Sequence, residues 1–173
     1  MGRKSIARAL LATALVVPNG LVADEPDRLV RAIALHDEGR TEEARSVLEE
    51  LVADEPQHAR AIWNLGLLAM SDEEHDRAIE CFERAIAIDE QAAEYHLWRG
   101  YAYAAKVETA FLVKKPFIAA KILRSFERAV ELAPKNIKAR KALMSFYLEA
   151  PPIVGGSQSR AAEQAETIRR LEQ

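Results

Sequence analysis

The chain has 173 residues, 49% apolar and 29% charged, enough for one domain with its own apolar core, and this excludes a disordered chain. Gly and Pro number seven each and aromatics make up 6%, so collagen-like and low-complexity classes fall away, and an Ala- and Leu-rich apolar share favours helices. With 24 basic and 27 acidic residues the net charge is −3, a sign that gives no general attraction for nucleic acid.

Residues 1–23 come first and differ in kind from the rest. Arg3, Lys4 and Arg8 make a basic start, with no acid before Asp24. Ala9–Val17 is an uncharged apolar run, Pro18-Asn19-Gly20 breaks any helix, and Ala23 places a small residue just before Asp24. These are the parts of a secretory signal peptide. The run is far shorter than the ~20 residues needed to span a membrane. Export to the periplasm or beyond the cell is therefore expected, with a single domain over 24–173. Cys81 is the sole cysteine, so no internal disulfide can form, and its place between Ile79 and Phe82 predicts a small core side chain.

The remainder repeats itself. At an offset of 34, Ala44 falls on Ala78, Leu48 on Phe82, Leu51 on Ala85 and Gly66 on Gly100. Phe82, Ala85, Ile86 and Ile88 then meet Phe126, Ala129, Val130 and Leu132 at an offset of 44, so the third unit carries ten more residues. A fourth copy lies at an offset of 39, from Phe126 to Ala165, Ala129 to Ile168 and Leu132 to Leu171. Each unit reads as two helices with apolar faces of helical period. The unit bounds are approximately 26–57, 58–91, 92–135 and 136–173.

The stretch Ile62-Trp63-Asn64-Leu65-Gly66, with Ala78, Phe82, Ala85 and Ile88-Asp89, resembles a tetratricopeptide repeat. Gly39, Ala44, Leu48 and Pro56 repeat that pattern upstream, and Gly100, Phe126, Ala129 and Pro134 repeat it downstream. Arg31, Arg99, Ile122 and Glu90 depart from it. Glu94–Trp98 and Tyr147–Ser157 resemble, in addition, a narrower group of exported bacterial repeat proteins of unassigned function. The family resemblance implies an all-α fold, a right-handed solenoid of helical hairpins, and non-catalytic binding of a protein or peptide. In such a solenoid the first helix of each unit lines a concave groove. The resemblance places Trp63, Asn64, Leu67 and Met70 of the second unit on it, with Leu97, Trp98 and Tyr101 of the third. A carrier of a lipid or small apolar ligand in the same groove is the alternative. Asn64 matches the asparagine of the family's carboxylate clamp, but the clamp's basic places hold Leu29, Ile33, Glu94 and Trp98, so no such clamp is expected.

The extra residues of the third unit are a second candidate surface. No proline interrupts Glu94–Val113, and Lys114-Lys115-Pro116 then makes a break. Ile118, Ile122, Phe126 and Ala129 continue one stripe beyond it. Both helices of this unit are thus predicted to be longer by about one and a half turns. Phe111, Lys114 and Lys115 would face a partner or a second copy at the tip, with Val107, Phe111 and Ile118 only partly covered. Ser71 and Glu74 are predicted to form a capping box. The loop 151–157 holds two glycines before a helix starting near Ser157, and reads as a connector rather than an anion nest. The four histidines have no metal-ligand spacing and no nucleophile motif occurs, so no cofactor, metal or catalytic residue is expected.

Overall fold

The structure, a computed structural model, describes residues 25–173. The expected signal segment 1–23, with its cleavage point, lies outside the described residues. The elements are α1 (Glu25–Asp37), α2 (Thr41–Asp54), α3 (Ala59–Ser71), α4 (His75–Ile88), α5 (Ala93–Thr109), α6 (Lys115–Leu132), α7 (Ile137–Glu149) and α8 (Gln158–Leu171). Consecutive helices pair as hairpins and each hairpin packs on the next, giving an all-α solenoid.

Helix ends follow local chemistry. His58 Nδ1 accepts from the Ala61 amide at 3.2 Å, Asn136 Oδ1 from Ala139 at 3.1 Å and Ser157 Oγ from Arg160 at 3.4 Å, so α3, α7 and α8 start on side-chain caps. Gly39, at φ +77°, ends the first hairpin's turn. Pro56 and Pro134 follow the last residues of α2 and α6 by two positions, where a helix can no longer continue. The Ser71–Glu74 capping box does not form. Helix α3 runs on through Ser71, whose hydroxyl donates to the Leu67 carbonyl at 3.3 Å. The cap position therefore falls on Glu74, whose carboxylate accepts from Arg77 at 3.2 Å instead.

Leu48, Leu51, Ile62, Leu68, Phe82 and Leu97 are fully buried between hairpins, each worth roughly 1.5–3 kcal/mol of burial. One contact recurs. A Cβ at Gly66 would sit 2.6 Å from the Phe82 ring, and one at Gly100 would sit 2.4 Å from the Phe126 ring. Glycine fits at both because an aromatic ring of the second helix packs against the backbone of the first and leaves no room for a methyl group. Ala78 is also fully buried, one turn before Phe82 on α4. The departures from the repeat pattern are absorbed locally. Arg31 is exposed, Ile122 is buried, and Arg99 Nε donates to Ser125 Oγ at 3.1 Å.

The third hairpin is longer, as expected, but by less. Helix α5 has 17 residues against 13 in α3, and α6 has 18 against 14 in α4. Each is extended by four residues, about one turn rather than one and a half. Helix α5 stops at Thr109, not Val113. Ala110 and Phe111 are extended, and Leu112–Lys114 form a single 3-10 turn. Lys114 and Lys115 thus open α6 instead of closing α5. The neighbouring hairpins end earlier and offer nothing to pack against, so a further turn of helix has no tertiary support. Ile118, expected at the partly covered edge, is buried at 8% exposure, whereas Phe117, one residue before it on α6, is 75% exposed, so the core-facing side of α6 already includes Ile118.

Candidate functional site

The first helices α3, α5 and α7 lie side by side. The Trp63 ring of α3 packs on Tyr95 of α5 at 5.9 Å between centroids. Lys138 of α7 sits 4.5 Å above Trp98 of α5 and 5.8 Å from Tyr101. Of the residues predicted for the groove, Trp63 and Leu97 are buried, at 8% and 2% exposure, and contribute little or no surface. Trp63 lies on the side of α3 that meets Tyr95 of the next hairpin, and Leu97 holds the equivalent place 34 residues on. Leu67 and Met70 are half-buried and pack on the core. Asn64 Nδ2 donates to the Arg60 carbonyl at 2.8 Å, one turn back in its own helix. Trp98 and Tyr101 do come together, edge to face at 5.6 Å, and Tyr101 continues edge to face onto Phe126 at 5.4 Å.

That aromatic row leads into a feature absent from the sequence reading. A cleft of about 710 Å³ opens between the third hairpin and α7. Tyr101, Ala104 and Val107 of α5 form one wall, Ala119, Ile122 and Phe126 of α6 the floor, and Ala142 and Phe146 of α7 the other wall. Its lining also includes Glu108, Lys115, Lys141, Ser145 and Glu149, with Leu112 and Ile153 contributed by the two loops. The cleft exists because α5 and α6 outrun α7 and because alanines stand where larger side chains would close it. The ten-residue insertion and the facing alanines Ala104, Ala119 and Ala142 were the available signals. Recognising them as one surface required the relative placement of α5, α6 and α7.

The loop after α7 closes the cleft's end. Gly155 takes φ +107°, and a Cβ at Gly156 would stand 1.7 Å from the Ala150 carbonyl oxygen. The Gly155, Gly156 and Ser157 amides donate to the carbonyls of Pro152, Pro151 and Tyr147 at 2.8–3.1 Å. No amide of these three is left for an anion, in agreement with a connector.

The basic residues around the insertion divide into two groups. Lys106 pairs with Asp76. Lys121 donates to the Tyr103 hydroxyl at 2.9 Å, and that hydroxyl donates to Glu83 at 2.7 Å. Burial together with Glu83 raises the Tyr103 pKa above its ordinary value. Lys114, Lys115 and Arg124 make no ion pair among the described residues. Phe111, Lys114 and Lys115, predicted at the tip, lie there together; Phe111 is 79% exposed. Cys81 is buried and its thiol pKa is pushed up chiefly by that burial, which keeps it protonated. Among the described residues no group of three His, Cys, Asp or Glu is placed to hold a metal.

Comparison with known proteins accords with this geometry. The family described as tetratricopeptide repeat matches residues 29–93 and, again, 69–110. Over 75 residues the chain is 28% identical to Superkiller complex protein 3 of Homo sapiens, covering 43% of this chain and 5% of that protein. The chain thus spans about one-twentieth of that relative's length. Among solved structures, MamA (41-end) from Desulfovibrio magneticus RS-1 superposes with a TM-score of 0.69 at 21% identity, over 86% of this chain and 76% of that one. TTC0263, a thermophilic TPR protein in Thermus thermophilus, gives 0.70 at 17% identity, over 86% and 74%. A human IFIT1 dimer with m7Gppp-AAAA gives 0.71 at 20% identity, over 84% and 33%. At such identities the likeness is one of fold.

Proposed function

We propose that the chain, which matches the tetratricopeptide-repeat family over residues 29–110 and shares its fold, is a non-catalytic protein-binding scaffold whose cleft between the third hairpin and α7 receives an apolar partner segment. The observation that carries this reading is the cleft itself, apolar on walls and floor and continuous with the Trp98–Tyr101 row. An amphipathic helix or extended peptide needs such a trough with polar groups along its edges. Ser145, Lys141 and Glu149 stand on that edge. A carrier of a free apolar ligand needs an enclosed dry cavity. Here the rim residues Leu112 and Ile153 are 82% and 93% exposed, which favours a peptide over a carried ligand. Export remains part of the proposal and rests on residues 1–23 alone; N-terminal sequencing of protein recovered from a bacterial host should begin at or near Asp24, and a retained Met1 would refute it.

The cleft is tested by site-specific photocrosslinking in the native host. A photoreactive residue at Ser145 should yield one dominant protein adduct, whereas the same residue at Glu80, on the outside of α4, should not. Ala142→Leu narrows the cleft and should suppress the Ser145 adduct. Equal adducts from both positions, or an adduct indifferent to Ala142→Leu, would show that partners do not use this trough.

A further inference from the structure

The outer end of the third hairpin borders the cleft, which takes Leu112 and Lys115 into its lining but leaves Phe111, Val113, Lys114 and Phe117 outside it. Phe111, Leu112, Val113 and Phe117 are 79, 82, 76 and 75% exposed, and Ile153, which lines the same cleft as Leu112, is 93% exposed. Single exposed apolar side chains are ordinary, but five large ones at one end of a molecule mark a surface that meets something. Charge says what. Residues 109–126 hold Lys114, Lys115, Lys121 and Arg124 and no acid, in a chain whose net charge is −3. Lys121 is engaged with Tyr103, while Lys114, Lys115 and Arg124 have no ionic partner among the described residues. The one-turn extension of α5 and α6 carries this apolar and cationic crown beyond its neighbours.

A symmetric contact between two copies through this crown would gather Lys114 and Lys115 of both copies into one interface that holds no acid from residues 109–126, which like-charge repulsion opposes. A bilayer with anionic headgroups suits both components. Apolar side chains enter the interfacial zone, and lysine stems lie along it with their ammonium groups at phosphate level. We propose that the tip Phe111–Phe117, together with Ile153, docks the protein reversibly on an anionic lipid surface, Phe111, Leu112, Val113 and Phe117 inserting and Lys114 and Lys115 meeting lipid phosphates. Among the described residues no helix is long and apolar enough to cross a membrane, so the contact is interfacial. Its failure would be distinguishable from failure of the cleft reading, since one test reads vesicle binding and the other protein adducts at Ser145, although Leu112, Lys115 and Ile153 border both surfaces.

The test is flotation of the full-length chain with vesicles of phosphatidylcholine alone or with phosphatidylglycerol added. The chain should float only with the anionic vesicles, and less so as salt rises. Lys114→Ala/Lys115→Ala should weaken binding about 25-fold, at roughly fivefold per cation near an anionic surface. Phe111→Ser/Phe117→Ser should abolish it with no change in melting. The proposal is overturned by an absence of flotation with anionic vesicles. Binding that survives both double substitutions overturns it equally, because the contact would then lie elsewhere, as in residues 1–23. A protein that crosslinks to position 113 while vesicles fail to bind would make the tip a protein-docking surface instead.

Discussion

Gly100 shows how tightly one residue can be specified. An added methyl would meet the Phe126 ring at 2.4 Å, and that ring is pinned edge to face by Tyr101. Alanine favours the helix over glycine by up to ~1 kcal/mol, but overpacking costs about 1–3 kcal/mol, so the clash wins. Gly100→Ala should lower stability by about 1 kcal/mol in urea unfolding, and Phe126→Leu should remove that penalty in the double variant. His96 is specified by protonation. It is 5% exposed, its Nε2–H donates to the Glu90 carbonyl at 3.0 Å, and Nδ1 is buried without a partner. Burial is the main cause that lowers its pKa, with the Glu90 bond opposing. The folded chain therefore holds the ring neutral while the unfolded chain takes up a proton near the ordinary value of about 6.5. This contribution to stability is complete above that pH and is lost as pH falls toward the lower, folded-state value. Melting temperature should fall more steeply from pH 7 to pH 5 for the parent than for His96→Gln; parallel profiles would mean that the ring is not held neutral.

Between elements, one bond recurs at successive hairpin junctions. The Tyr103 hydroxyl of α5 donates to Glu83 of α4 at 2.7 Å, and the Tyr147 hydroxyl of α7 donates to Glu127 of α6 at 3.1 Å. Both pairs obey the offset of 44 that relates the second helices of units two and three, so the repeat extends to its polar contacts. Each bond ties the first helix of one unit to the second helix of the unit before. Tyr147→Phe should cost about 1 kcal/mol. Tyr103→Phe should cost more, because it also deprives Lys121 of its acceptor. The order of their urea midpoints checks this, and two unchanged midpoints would show that water replaces both hydroxyls without loss.

At the scale of the molecule, stability comes from hairpin stacked on hairpin, each touching only its neighbours. The exposed tip of the third hairpin lies beyond that stack. Phe111→Ser/Phe117→Ser should therefore melt within about 0.5 kcal/mol of the parent, as surface substitutions do. A larger loss would mean that the tip is folded back onto the stack. The cleft, by contrast, is made by the stack, since it lies where a long hairpin meets the shorter α7.

Periodicity in the sequence determined the helices, their pairing and the recurrence of glycine and phenylalanine at fixed places, because apolar spacing and small residues act within a hairpin; that each glycine lies against the phenylalanine ring was decided by the packing. It placed the insertion and its exposed Phe111 correctly, for the same local reason. It did not place the end of α5, the capping of α4 or the depth of Trp63 and Leu97. Where α5 stops depends on whether a neighbouring hairpin is there to support another turn. Whether a groove side chain is surface or core depends on how closely the next unit packs. The cleft was settled at the same level, for its walls come from three helices whose lengths differ, and no spacing along one chain records the gap between them.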